Sequence, residues 1–461
     1  MSVSTLNTLD ALSPIDGRYH SQTSLLSPYF SEKAWIRTRV LIEIEYFQSL
    51  LQFLNVAETE QDLKKLKEDF ENLKQIWENM DLDDAFQEIK DIEKKTNHDM
   101  KAVEYYVKSI AKMDGLKKWC EFVHFGLTSQ DINNTVIPFL IKKCLNEIMI
   151  PRLKCSVIDP LKSLGQKWMH VPMLARTHGQ PATPTRVGKE LMVFVERLEL
   201  QLQHLTSIPI TAKFGGATGN FNSHFVAYPT KNWPSFANRF LSEKLGLIRQ
   251  QYTTQIEHYD ELANLFHAFS RINTILIDLC RDIWSYISLD YFKQKVISSE
   301  VGSSAMPHKV NPIDFENAEG NLGIANVLFV HFSTKLPVSR LQRDLTDSTV
   351  CRNFGVPFAH TLISLNSIQK GLGKLILNET AINKDLDNNW NVISEAIQTI
   401  LRREQYEAPY ELLKNLTRSE NGPLTQKDFH NFIDQLDVTP SVKCELKEIT
   451  PFNYIGVLPT F

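Results

Sequence analysis

An all-α fold is predicted by three features of this chain. Apolar residues step by three or four over long stretches, alternating strand-like runs are sparse, and Pro and Gly fall between the stretches. The clearest stripe is Leu262, Leu265, Phe269, Ile272, Leu276, Leu279, Ile283 and Ile287. It covers more than 25 residues without Pro or Gly, which predicts a helix on the order of 40 Å long at ~1.5 Å per residue.

Taken in order, residues from about 52 to 95 are rich in Glu, Lys and Asp with spaced Leu, Phe and Ile, and predict solvated amphipathic helices. A helix is predicted from Asp131 through Ile150, stopping at Pro151, because proline lacks an N–H and crowds the preceding turn. Another runs from Lys189 to about Leu205, with Leu191, Phe194, Val195, Leu198, Leu202 and Leu205 on one face. Ile208 to Thr211 is a short piece with strand character. The last ninety or so residues return to charged amphipathic helices, with Asn-Gly-Pro at 421–423 marking a turn. Neither an internal repeat nor a low-complexity linker interrupts the chain.

At 461 residues the chain exceeds one simple core, and three helical domains are expected: 1–118, 119–370 and 371–461. The middle one carries the long helices. Helices of that length pack in bundles, often with faces completed by other subunits.

Composition excludes several classes. Hydrophobic residues make up 43% and charged residues 23%, ordinary for a globular protein. The formal charge of −4 gives no global basic field for nucleic acid or an anionic membrane, so any anionic ligand needs local positive charge. The six cysteines form no CxxC pair and read as thiols of a reducing compartment. The first twenty residues lack a basic stretch followed by an apolar run, and no segment has the roughly 20 uncharged apolar residues of a membrane span. A cytoplasmic enzyme fits, without membrane or nucleic-acid partners.

Four stretches carry more polar chemistry than packing requires. VGSSAMPHKVNP (301–312) follows the long helix and gathers Ser303, Ser304, Lys309 and Asn311. It reads either as a surface connection or as a mobile active-site lid. RTHGQPATP (176–184) sets His178 beside Gly and Pro, as a structural histidine or a catalyst. TNHDMKAVEYY (96–106) places His98, Asp99 and Lys101 at a helix start, where capping by Asn97 or Asp99 explains part of the cluster. HFGLTSQDINN (124–134) offers Thr128 and Ser129 before a helix, with Ser129 a ready N-cap. HExxH, zinc-type Cys/His spacing and an acidic calcium loop are all missing, as are a P-loop and GxSxG; FGGATGN (214–220) lacks the context of a dinucleotide motif. Side chains alone must carry the chemistry, with no metal or cofactor.

Together these stretches resemble the fumarase/aspartase superfamily of lyases, whose GSSxMPxKxNP signature stands here as Gly302 to Pro312. Within it the chain is similar to the adenylosuccinate lyases, in their longer bacterial branch. RTHGQPATP carries Gly179-Gln180-Pro181 where fumarases and argininosuccinate lyases show THLQ, and TNHDMKAVEYY resembles an HDxKAVE helix. SPIDGRYH (13–20), YTTQIEHYD (252–260) and KLPVSRLQRDLTDSTVCRN (335–353) match the same branch. Gln130 departs from the acidic residue common at that place, while Asp131 is kept.

The resemblance implies a central long-helix bundle that forms the core of a homotetramer, with each active site shared between subunits. It implies elimination of fumarate from a succinylated nucleotide, with no cofactor. Ser303 would be the base, with Ser304 the runner-up, and His178 the acid. Lys309 and Asn311 would meet the carbanion's charge, and His98 would be a second site histidine. Arg18, Tyr19, Arg343, Ser348 and Arg352 are implied partners of phosphate and ribose. Asn97, His98, Asp99, Thr128, Ser129 and Gln255 would hold the succinyl group and base, with Asn317 a weaker candidate. Another enzyme of the superfamily, such as an argininosuccinate lyase or a cycloisomerase, and a scaffold that lost activity are the rivals. The scaffold would be expected to lose Ser303, Lys309 or His178, and all three are present.

Overall fold

The computed structural model describes residues 7–79, 82–113, 115–297, 306, 308–418 and 424–459. They fold as two compact units, each built from separate stretches of chain.

The first unit comprises Met1–Arg152, Gln201–Thr274 and Asn321–Ile363. Its helix Glu32–Leu54 begins where the Ser31 hydroxyl accepts the Ala34 N–H and ends at Asn55 in left-handed backbone, φ 57°. Val40, Ile44, Phe47 and Leu51 are fully buried along it, and so are Arg39 and Glu43, so this helix is packed on most sides. The charged 52–95 stretch forms Glu60–Asn79 and Leu82–Thr96. Leu66, Phe70, Leu73 and Trp77 are its buried stripe, stepping by three or four as expected. A second core gathers Phe266, Phe269, Phe329, Phe354 and Phe358, with ring centroids 5.0 to 6.4 Å apart. Burying each ring contributes about 1.5–3 kcal/mol, which makes this cluster a main support of the unit. Thr211–Ala212 pairs in parallel with Ile248–Arg249, so the strand expected at 208–211 starts only at its last residue.

The second unit comprises Leu153–Leu200, Ile275–Gly320 and Ser364–Phe461. Pro172–Thr177 and Gln180–Arg186 form an antiparallel hairpin, and Phe292–Gln294 pairs with Leu375–Leu377. The C-terminal helices enclose their own core of Trp390, Ile397, Leu401, Phe429, Ile433 and Leu446. Among them Gln426–Asp434 opens on a Thr425/Asp428 capping box. The turn expected at 421–423 lies outside the described residues.

The long stripe forms one helix, Asp260–Ser288, and the stretch after the hairpin forms Val187–Ser207. The helix expected to stop at Pro151 does not stop there. It starts at Ser129, runs to Cys144, and continues through a π turn at Leu145–Met149 and a second at Lys154–Ile158. Pro151 and Pro160 each come two residues after a π turn. The wider turn leaves a carbonyl unclaimed, so a residue without an N–H costs no helical bond there.

Ile313–Lys335 carries apolar residues on opposite sides. Phe315, Leu322, Ala325, Phe329 and Phe332 are buried, while Ile324, Val327 and Val330 on the opposite side are 51%, 70% and 45% exposed. No described helix is long and apolar enough to cross a membrane.

Candidate active site

The first turns of the Ser129–Cys144 helix organise most of the expected binding residues. Thr128, not Ser129, is its N-cap, in a capping box with Asp131. Asp131 is fully buried and its carboxylate accepts four donors. Oδ2 takes the Thr128 N–H at 2.8 Å. Oδ1 takes Lys213 Nζ at 2.7 Å and the N–H groups of Gly215 and Gly216 at 2.8 and 3.1 Å. Lys213 is also fully buried. Burial pushes its ammonium pKa down, the Asp131 carboxylate opposes that, and the cations Arg249 and Arg343 add to the depression. The glycine-rich stretch 214–220 is thus a loop pinned to a helix start rather than a phosphate cradle.

Two residues along, Asn133 Oδ1 accepts Arg39 Nε at 3.0 Å. Arg39, 2% exposed, reaches on to Asp99 at 3.1 Å, and Arg352 approaches the same Asp99 oxygen at 3.6 Å. Burial works against the charge of Asp99, but Arg39, the Met100 N–H and Arg352 outweigh it and hold the carboxyl below its ordinary pKa. Beside it, His98 Nδ1 accepts the Lys101 N–H at 3.1 Å. His98, rather than Asn97 or Asp99, therefore caps Asp99–Met113. A capping Nδ1 must be unprotonated, which leaves Nε2 as the ring's N–H donor, with the side chain half exposed at 54%. Asn97 turns the chain into this cap with φ 50°.

Asn134 makes the third link. Its Nδ2 donates to the Tyr259 hydroxyl at 2.8 Å and its Oδ1 accepts the Glu257 N–H at 3.0 Å. The Tyr259 hydroxyl donates to Asp347 at 3.1 Å, and Arg343 stands 3.7 Å from the other Asp347 oxygen. Arg343 also donates to Gln255 Oε1 at 3.1 Å, while Gln255 Nε2 donates to the Ala217 carbonyl at 3.1 Å. Gln255 and Arg343 are therefore brought together, as are Asp99 and Arg352. Ser348 lies one residue beyond Asp347 on the helix Thr346–Cys351. Arg18 is exposed, and half-buried Tyr19 stands at the start of the helix His20–Thr23.

Behind Thr128 lies a buried aromatic and imidazole cluster. His124 Nδ1 is 2.5 Å from Glu43; burial lowers the imidazole pKa, but Glu43 outweighs burial and raises it. Tyr46 donates to the Phe125 carbonyl at 2.6 Å, so at 3.0 Å His224 Nε2 must donate to the Tyr46 oxygen. Burial pushes the His224 pKa down to about 4, so the ring is neutral near pH 7. Gly126 has φ 69°, and a Cβ there would stand 2.7 Å from the His224 ring.

In the second unit, His178 and Gly179 form the tip of the hairpin with φ 53° and 73°. His178 is exposed and, among the described residues, makes no hydrogen bond. Lys309 is exposed and Asn311 half-buried just before the helix Ile313–Lys335. Gln294 Nε2 holds the Val310 carbonyl at 3.1 Å, and Asn317 Oδ1 accepts the Ser367 hydroxyl at 2.9 Å. Ser303 and Ser304 lie outside the described residues, as do 301, 302, 305 and 307 of the expected lid.

Sequence reasoning assigned no part to Arg39, Asp131, Asn133, Asn134, Lys213 and Tyr259, the residues that hold the side chains expected to bind. One signal was available. Asn-Asn is a poor choice for a helix interior, since its amides compete with the backbone, so Asn133-Asn134 flanked by apolar residues asks for partners. Arg39, Glu43 and Lys213 gave none.

A family model described as "Lyase" matches residues 17–328, and one described as "Adenylosuccinate lyase C-terminal" matches 339–455. The adenylosuccinate lyase of Dictyostelium discoideum is 58% identical, over 99% of this chain and 98% of that protein. Those of Buchnera aphidicola subsp. Schizaphis graminum and Escherichia coli (strain K12) are 48% and 45% identical, each over 98% of this chain and 97% of its own. Among solved structures, the 3-carboxy-cis,cis-muconate lactonizing enzyme from Pseudomonas putida overlays with a TM-score of 0.72, covering 94% of each chain. At 18% identity that likeness speaks for the fold alone. With two family models and relatives matched from end to end, this chain belongs to the adenylosuccinate lyase family.

Proposed function

We propose that this protein eliminates fumarate from adenylosuccinate, giving AMP, and from the succinylated aminoimidazole carboxamide ribotide (SAICAR), giving AICAR. The observation that carries the reading is the end-to-end identity of 45–58% with relatives named for this activity. The direct test is incubation with adenylosuccinate while fumarate and AMP are followed. Cleavage of argininosuccinate, with neither nucleotide turned over, would overturn it.

The reaction takes a proton from the carbon beside a succinyl carboxylate and expels the nitrogen on the next carbon. The C–H is weakly acidic, so the carbanion's charge must spread into the carboxylate and meet donors already in place. In our reading Lys309 and Asn311 are those donors, Ser303 is the base with Ser304 the runner-up, and His178 protonates the departing nitrogen. His98 presents a neutral Nε2–H, which suits it to orient the substrate. Arg18, Tyr19, Arg343, Ser348 and Arg352 take phosphate and ribose. Thr128, Ser129, Gln255 and Asn97 to Asp99 take the succinyl group and base, with Asn317 in a lesser part. Asp99 acts chiefly through Arg352, which it faces at 3.6 Å.

The reading includes a cytoplasmic homotetramer whose sites draw on three chains, and a three-domain division at 1–118, 119–370 and 371–461. The exposed Ile324, Val327 and Val330 support assembly through the long helices, and the closed cluster from Trp390 to Leu446 supports the last domain.

A further inference from the structure

We propose that Asp385 and Glu395 are positioning residues for the reaction, clamping the 172–186 hairpin so that His178 at its tip is held in one place. The inference rests on the acid role proposed for His178.

A two-stranded ribbon is marginal by itself in water, so the tip of one is only as fixed as what grips its strands. This ribbon also carries an irregularity between Met173 and Ala175, which loosens its pairing. His178 is exposed and, among the described residues, has no hydrogen bond, so its position is set through the backbone alone. The grips fall on both strands. On the first, Arg176 Nη2 donates to Asp385 Oδ2 at 2.6 Å, only two residues before the tip. The Tyr291 hydroxyl donates to the same oxygen, and Asn389 Nδ2 reaches Oδ1 at 3.2 Å and the Asp385 carbonyl at 2.7 Å. Asp385 is thereby fixed before it fixes Arg176. On the second strand, the Thr183 hydroxyl donates to Glu395, and Arg186 Nη2 donates to the Gly456 carbonyl at 2.7 Å. The helix Glu379–Asp387 packs on the first strand and the turn Trp390–Ile393 on the second.

Such partly exposed contacts add little to stability. Rate is far more sensitive to place, since a misplacement of about 1 Å costs on the order of a hundredfold. That contrast makes the grips a positioning device.

The test is a double-mutant cycle on the full-length enzyme, read as fumarate release. Asp385→Ala should lower kcat by about ten- to a hundredfold with KM for the nucleotide within about twofold. Tyr291→Phe, a gentler change, should lower kcat by a few-fold in the same way. In a His178→Ala background, Asp385→Ala should cost less than about twofold more, because the group it positions is gone. An equal loss in both backgrounds, or an unchanged kcat in Asp385→Ala and Tyr291→Phe while His178→Ala is crippled, would overturn the clamp alone. A normal kcat in His178→Ala would instead overturn the acid role and the clamp with it.

Discussion

The start of the Ser129–Cys144 helix and the tip of the 172–186 hairpin solve opposite problems. Around the first, a buried polar network stands ready: Asp131 takes four donors, and Asn133 and Asn134 each anchor a further chain of contacts. At the second, His178 stands exposed with its geometry supplied only through the backbone. The difference teaches how the work divides. Groups proposed to recognise a charged ligand are held by a buried network made before any ligand arrives. The group proposed to move a proton is left bare, so that substrate or another chain completes its surroundings.

Five expected outcomes would break or sharpen that contrast. The largest concerns the base. Ser303→Ala should lower kcat by about a thousandfold or more while nucleotide binding persists, and Ser304→Ala should be milder. A reversal of the two would move the base to Ser304. Next is assembly. His178→Ala and Ser303→Ala proteins, each retaining only a trace of activity apart, should regain about a quarter of wild-type activity after equal mixing, since a site drawing on two chains is intact with probability ½ × ½. Demonstrated subunit exchange without recovery would put both residues in one chain's site.

Stability effects belong to the buried side. Lys213→Met leaves the Asp131 carboxylate without the ammonium that pairs with it at 2.7 Å and should destabilise the fold by about 3–5 kcal/mol in urea titrations. A variant as stable as the parent would mean the pair is not structural. His224 gives a smaller effect tied to pH. Burial places its folded pKa near 4, below the ordinary histidine value of 6.5, so the folded chain binds fewer protons between those values. Stability should therefore drop as pH falls through that window, by about 3 kcal/mol from this group. His224→Phe should show a shallower acid-side loss, and parallel profiles would show that the ring does not titrate this way. Smallest of all, His178→Ala should leave stability within about 0.5 kcal/mol of the parent. A clear fall in its urea midpoint would give the tip a structural part.

Much of this was legible in the sequence, in a specific way. A stripe repeated eight times from Leu262 to Ile287 predicts its helix because burial of one face outweighs any local choice. Pro151 misled because a π turn is a tertiary accommodation that no local propensity records. The hairpin was hidden because RTHGQPATP does not alternate apolar with polar residues, and its strands are held by Asp385 and Glu395 about 200 residues away. His98 stood out as a candidate, yet its role as the helix cap did not, since Asn97 and Asp99 are the better caps by type. Buried charges such as Arg39 and Lys213 were invisible for a plainer reason. A charged letter in a helix or beside a glycine loop reads as solvated until its partner is placed against it.

The exposed side of Ile313–Lys335 reaches beyond catalysis. Ile324, Val327 and Val330 meet water in a lone chain, and a Cβ built at Gly323 would have no neighbour within 4 Å, so there is room for another backbone to approach. If the proposed assembly covers this surface, conformational stability becomes tied to dose. Dilution would then favour the solitary chain with its apolar stripe uncovered, and the thermal midpoint should climb with protein concentration by mass action.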